Sequence, residues 1–261
     1  MSPVLGFGDD RSDGSDRCWE WIASHHWEGW RLEIVTAEPP ADMRPVEDDE
    51  AGLHPWEPER PRESSATGFT EVAYLRAAID PRLALIARPW DLLAVGARGS
   101  GLLKTLHLGS TADWLLREPT SPLVIARQPG PVDRALVAAD GSAHSQRAVS
   151  ALASVPWVSG LRARVITVDD GRIDPTAAMK SVSDTLAAVG ARVEAVTRMG
   201  DATREILAEM ESWEPDLVVM GTRGHVGIRR VIVGSTTAAV TGSTECSILA
   251  AHTVEAASTG R

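Results

Sequence analysis

Short apolar runs recur along the chain, separated by longer stretches in which apolar positions return every three or four residues. Ala135–Ala139 and Leu217–Met220 are runs of the length expected for strands buried on both faces. Around them the pattern predicts a helix over Ser145–Val155 with Ser142 as its cap, then a strand over Val165–Val168 and a helix over Pro175–Val189. A strand over Val193–Val196 and a helix over Ala202–Trp213 come next. After Met220 a Gly-rich segment leads to a helix near Ser235–Val240 and a last strand, Ile248–Ala251. Alternating strands and helices predict an α/β fold: an open parallel sheet of five strands with helices on both faces.

The same plan occurs twice. Asp91-Leu92-Leu93-Ala94-Val95-Gly96-Ala97-Arg98-Gly99 matches Asp216-Leu217-Val218-Val219-Met220-Gly221-Thr222-Arg223-Gly224 at an offset of 125 residues. The match runs without a gap to Gly109-Ser110-Thr111 against Gly234-Ser235-Thr236, with eight of 21 positions identical. Upstream, an offset of 131 pairs Val4–Asp9 with Ala135–Asp140 and Ile34-Val35-Thr36 with Val165-Ile166-Thr167. Val72 to Asp80 pairs with Val193 to Asp201. Two tandem domains are expected, residues 1–130 and 131–261, joined near Gln128-Pro129-Gly130-Pro131.

The copies differ where the second has its helix over Pro175–Val189. There the first has residues 38–64, with nine acids, three bases and six prolines. That proline density forbids a regular helix and predicts a surface excursion. It also explains much of the formal net charge of −10, since the stretch alone carries −6. The apolar fraction is 43% and the charged fraction 24%, which excludes a disordered chain, a collagen-like fibre and a disulfide-rich miniprotein. The negative balance argues against nucleic acid or an anionic membrane as partner but leaves room for a small anionic ligand. Cys18 and Cys246 predict buried thiols in a reducing compartment. With no signal-like start and no long apolar run, the expected location is the cytosol.

The element with chemical meaning is Gly-x2-Gly-x9-Gly-Ser, present as Gly96, Gly99, Gly109, Ser110 and as Gly221, Gly224, Gly234, Ser235. Each copy leaves a strand and opens a helix. Glycines let backbone approach a ligand closely, and a helix N-terminus offers free N–H groups to a phosphate. Thr111 and Thr236 add hydroxyls. A turn that merely links strand to helix is the competing reading, and two in-register copies weigh against it. The spacing is neither that of a P-loop nor that of a dinucleotide fingerprint. The first strand of each copy ends in an acid, Asp9 or Asp140, placed to face a ligand or to cap the next helix. Ser142, His144 and Asp140 lie too close in sequence to suggest a hydrolytic triad, His25-His26 reads as surface or packing rather than metal binding, and His225 lies beside the Gly-rich loop. Cys18, Trp21 and Ile22 align with Val149, Leu152 and Ala153, which predicts a sheet-facing role in the core.

Asp140-Gly141-Ser142, Gly200-Asp201, Asp216–Gly224 and Gly234-Ser235 together resemble a tandem universal stress protein over nearly the whole chain. The resemblance implies sheet order 3-2-1-4-5 in each copy and adenine-nucleotide binding, with ATP (with or without Mg) as the cofactor. It implies that Gly221, Gly224, Gly234, Ser235 and Thr236 hold phosphates, that Asp140, Gly141 and Ser142 face the nucleoside, and that Val168 flanks adenine. In the first copy, the corresponding set is Asp9, Gly96, Gly99, Gly109, Ser110 and Thr111. There Asp10-Arg11 replaces Gly141-Ser142 and Ile79 replaces Gly200, so the second copy is the stronger site. The resemblance also implies pairing of the last strands of the two copies and allows a homodimer. The expected role is a nucleotide-dependent stress or energy-state regulator without a dedicated catalytic apparatus. The rivals are a slow ATP hydrolase or phosphoryl-transfer enzyme and a nucleotide-free scaffold.

Overall fold

The computed structural model describes residues 2–38, 52–98, 108–118, 120–169, 171, 175–223 and 233–253. In the first half these form β1 (Val4–Gly8), α1 (Asp13–Ala23), β2 (Arg31–Ala37), β3 (His54–Pro55), β4 (Glu71–Ala77), α2 (Pro81–Ile86), β5 (Leu92–Gly96), α3 (Ser110–Arg117) and β6 (Leu123–Ala126). The second half holds β7 (Arg134–Ala138), α4 (Ala143–Ser154), β8 (Arg162–Asp169), α5 (Thr176–Ala188), β9 (Arg192–Met199), α6 (Ala202–Trp213), β10 (Leu217–Gly221), α7 (Ser235–Ser243) and β11 (Ser247–Ala251). Every predicted element of the second half is present, and α6 has the predicted ends.

All the strands join one sheet in the order β3-β4-β2-β1-β5-β6-β11-β10-β7-β8-β9. Each half has parallel order 3-2-1-4-5, and the halves meet where β6 runs antiparallel to β11, Ile125 opposite Ile248 and Val124 opposite Leu249. The apolar runs sit here because a strand flanked on both sides and covered on both faces must be apolar throughout. One face carries a continuous core from Leu5, Phe7 and Trp21 to Val137, Leu152 and Leu186 beneath α1, α4 and α5. The other face has two cores, one under α2 and α3 around Leu85, Trp90 and Leu115, the other under α6 and α7 around Ile206, Val218 and Val240.

Strand pairing corrects the repeat register at the N-terminal strand. Leu5 lies opposite Leu92 and Ala135 opposite Leu217, so the offset between β1 and β7 is 130 rather than 131. Backbone bonds agree: Asp9 N donates to Val35 O as Ala139 N donates to Ile166 O. Asp10, not Asp9, therefore stands where Asp140 stands. Arg11 (φ 58°) matches Gly141 (φ 77°), and the N-caps Ser12 and Ser142 correspond. Arg11 thus holds a left-handed conformation that glycine adopts freely and a branched-out side chain does not. The offset of 131 returns at β2, because α4 is 12 residues long and α1 is 11. Cys18, Trp21 and Ile22 then correspond to Ala148, Ala151 and Leu152, and all six face the core as expected.

Residues 52–64 contain no helix, only β3, whose His54–Pro55 pairs antiparallel with Leu75–Arg76 of β4. The following segment runs back along the sheet: Trp56 N bonds Tyr74 O, Trp27 N bonds Thr67 O, and Thr70 N bonds Trp30 O. It stands between β2 and β4 in the chain, as α5 stands between β8 and β9. Trp21, Trp27 and Trp157 surround His25, whose Nε2 accepts from Val132 N at 3.0 Å while Nδ1 bonds Trp21 O at 2.7 Å. Burial holds the His25 pKa down at about 4. This residue packs the connection between the halves, as its non-metal reading requires.

Candidate functional site

The candidate site lies at the carboxyl ends of β7 and β10, where the strand order of the second half reverses. Three short segments converge there. The first leaves β7: Asp140 Oδ1 accepts from Ser142 N at 2.9 Å, folding a tight turn that Gly141 completes. Ser142, rather than Asp140, is the helix cap, since its Oγ accepts from Ser145 N at 3.1 Å. The Ser142 hydroxyl also reaches Arg223 O at 3.4 Å and so ties this turn to the loop leaving β10.

The second segment is that loop. Gly221 ends β10, and a Cβ there would sit 2.7 Å from Ser145 N and 2.8 Å from His144 Cβ. Gly96 in the first half likewise faces the backbone of Gly14 and Ser15. Both glycines therefore let the first helix of their half press its N-terminus onto the strand end. Their smallness serves that approach.

The third segment is the N-terminus of α7. Gly234 N donates to Thr222 O at 2.8 Å, as Gly109 N donates to Ala97 O at 2.7 Å. The equivalence closes each loop identically. Neither Gly234 nor Gly109 supplies a side-chain cap, whereas α4 and α6 are capped by Ser142 and Asp201. The first-turn N–H groups of α7 and α3 thus lack the side-chain acceptor that the other two helices have. Ser235 and Thr236 stand in that turn of α7, Ser110 and Thr111 in that of α3. Thr236 Oγ1 is 3.1 Å from Thr203 Oγ1 of α6, and Thr237 Oγ1 donates to Gly221 O at 2.9 Å. Val168 is half-buried near the end of β8, and beside it the buried Thr167 Oγ1 has no hydrogen-bond partner. Gly99, Gly224 and His225 lie outside the described residues.

Two histidines flank this end. His144 and His252 stack with ring centroids 4.6 Å apart, His252 Nδ1 lies 3.3 Å from Thr222 Oγ1, and Thr253 N donates to His144 Nδ1. Burial and then the neighbouring charges of His144, Arg223 and Arg147 bring the His252 pKa to about 4. His144 Nδ1 is engaged by Thr253, through its N–H at 2.9 Å and its hydroxyl at 3.0 Å. Among the described residues no group of three His, Cys, Asp or Glu side chains is placed to hold a metal ion.

The first-half acid predicted to face a ligand does something else. Asp9 is 2% exposed and corresponds to Ala139. Arg62, from the Pro-rich insert, grips it through two bonds, Nε to Oδ2 at 2.9 Å and Nη2 to Oδ1 at 2.7 Å. Arg62 Nη1 reaches Asp16 at 2.7 Å, and Arg11 adds its backbone N–H to Oδ1 at 3.0 Å. Burial alone would raise the Asp9 pKa; the bonds and charge of Arg62, helped by Arg11, hold it below the usual range. Sequence reasoning missed this pair. The single visible sign was an arginine within an acidic stretch.

The sheet order defines a doubly wound α/β protein in each half. Residues 131–252 match the model of the universal stress protein family. A universal stress protein of Synechocystis sp. is 30% identical over 164 residues, a match covering 61% of this chain and 57% of that protein. The chain thus spans little more than half of this curated relative's length. Among solved structures, a universal stress protein from Archaeoglobus fulgidus superposes with TM-score 0.66 at 19% identity, covering 96% of this chain and 98% of that one. A protein of unknown function from Pseudomonas aeruginosa gives TM-score 0.60 at 15% identity, covering 96% and 92%. These likenesses extend across both halves of the fold. No helix among the described residues is long and apolar enough to cross a membrane.

Proposed function

We propose that residues 131–261 form an adenine-nucleotide-binding domain and that its ligand is ATP, held at the carboxyl ends of β7, β8 and β10. The α7 N-terminus carries this reading: its first turn has no side-chain cap, and Gly234 N–H clasps the strand loop beside it. In this reading Gly221, Gly224, Gly234, Ser235 and Thr236 surround the phosphates. Asp140, Gly141 and Ser142 line the nucleoside side, and Val168 lies against adenine. The residues present suit such a group, since N–H groups without a side-chain cap and the hydroxyls of Ser235 and Thr236 match an anion. A bound triphosphate brings negative charge and Mg affinity to the crevice; the protein's part is to hold and orient it.

Residues 1–130 would then be a second, degenerate domain. Its helix α3 has the same uncapped N-terminus, but Arg11 replaces Gly141 and the insert's Arg62 occupies Asp9. Binding in the second domain would bias a conformational or assembly equilibrium and so report energy state in the cytosol. Calorimetry with ATP, with and without Mg, tests this, with Gly234→Val as the control. A Cβ at Gly234 meets Thr222 O at 3.4 Å and Arg223 Cα at 3.5 Å, ordinary contacts, and a valine there would stand against the phosphates. Binding weakened about tenfold or more, roughly 1.4 kcal/mol, is expected. Steady multiple turnover by pure protein, abolished in Asp140→Ala, would favour the hydrolase instead; absence of binding would favour the scaffold.

A further inference from the structure

The sheet has two outer edges, and they are finished differently. At the first, β3 and the bond from Trp56 N to Tyr74 O cover the outside of β4, and Pro55 has no N–H to offer. At the other, β9 pairs with β8 alone, and among the described residues no strand lies along its outer side. β9 is eight residues long, and Met199 at its end is 77% exposed. A long, uncovered edge of this kind is a template for a further strand.

We infer that β9 is the interface of a symmetric dimer of this chain, formed by antiparallel pairing of β9 with β9 of a second copy about Val196. Backbone direction limits the possible registers. Arg192 N donates to Leu161 O and Gly200 N donates to Asp169 O, so the even-numbered residues of β9 turn their N–H groups toward β8. Val193, Ala195, Thr197 and Met199 turn theirs outward. An antiparallel two-fold pairing must set outward residues against outward residues, so the axis passes through a residue, not between two.

Charge, with the length of strand paired, then selects among those axes; one through Val193 also opposes Arg192 to Glu194 but pairs only the start of β9. Through Glu194 the axis sets Glu194 against itself. Through Ala195 it sets Arg192 against Arg198, like charge on like. Through Thr197 it opposes Glu194 to Gly200 and leaves both charges unmatched. Through Val196 it sets Glu194 opposite Arg198 of the other copy, twice, with Val196 against Val196 between them. The same register exchanges backbone bonds between Ala195 and Thr197 and between Val193 and Met199, covering the exposed methionine. Glu194 and Arg198 already lie on one face and remain partly exposed while bonded to Arg164 and Glu209, so both can meet a partner without leaving their present contacts.

The test uses the full chain. Sedimentation velocity over about 1–100 μM should show a monomer–dimer equilibrium. With Cys246 replaced by Ser, Val196→Cys should cross-link to itself under mild oxidation, since facing residues of a non-hydrogen-bonded pair lie close enough for a disulfide. Thr197→Pro removes an outward N–H without touching the bonds to β8 and should leave a folded monomer that melts as the parent does at concentrations where the parent is monomeric. Glu194→Arg should weaken the dimer about tenfold, and adding Arg198→Glu should restore it. A chain that stays monomeric at 100 μM overturns the inference. So does a dimer that survives Thr197→Pro and does not cross-link at position 196.

Discussion

Asp9 and Arg62 form the most consequential pair of side chains in the first half. A carboxylate this deeply buried is tolerable only because a bidentate guanidinium and a backbone N–H satisfy it. Removing one partner strands the other, so Arg62→Ala should cost about 3–5 kcal/mol in chemical denaturation. Asp9→Ala with Arg62→Leu should recover most of that loss, because the second half manages with Ala139 at the same place. Equal losses in the single and double variants would show that the arginine acts independently of Asp9. His25 supplies a pH dependence. Its folded pKa of about 4 lies below its ordinary 6.5, so the unfolded chain takes up a proton that the folded chain refuses. Its contribution is complete above pH 6.5 and falls as pH drops toward 4, by at most about 3 kcal/mol. His252, which is more exposed, acts in the same direction with less weight. Unfolding free energy measured from pH 7.5 to 4.5 should decline, and His25→Gln should flatten the decline.

Among the elements, strands and helices were legible because two-sided burial gives unbroken apolar runs and surface helices repeat at their own period. The register of β1 was not legible for the same reason. A strand apolar on both faces carries no alternation, so a shift of one residue leaves the pattern intact. The helix difference, 11 residues in α1 against 12 in α4, is what displaced it. Hence the pattern alone aligns Asp9 rather than Asp10 with Asp140, and it gives no sign of the Arg62 contact. The Gly-rich loops were correctly located, but the part played by Gly221 depends on how closely α4 packs, which no local pattern shows. Gly221→Ala should lower the melting temperature with a stability loss of about 1–3 kcal/mol, because the added methyl group meets helix backbone under 3 Å away. A variant as stable as the parent would show that the N-terminus of α4 yields freely.

The whole molecule is held across its midline by more than the β6–β11 ladder. Arg127, buried after β6, donates to Thr244 O at 2.7 Å and Thr241 O at 2.5 Å at the C-terminus of α7. Trp157 of the second half packs on Trp21 and His25 of the first. The core on that face is continuous, so the described chain should melt in one cooperative transition whose calorimetric and van't Hoff enthalpies agree. Arg127→Ala should lower the temperature of that single transition. The duplicated fold was readable from the repeated glycines; the asymmetry between the halves lies in the insert and in one buried salt bridge. That asymmetry leads to the central claim, that one crevice per chain, at Gly234 and Ser235, holds an adenine nucleotide. Isothermal calorimetry with ATP tests it most directly. One ATP should bind per chain, with affinity reduced about tenfold or more in Gly234→Val and unchanged in Gly109→Val. No binding, or binding that Gly234→Val leaves intact, would contradict it.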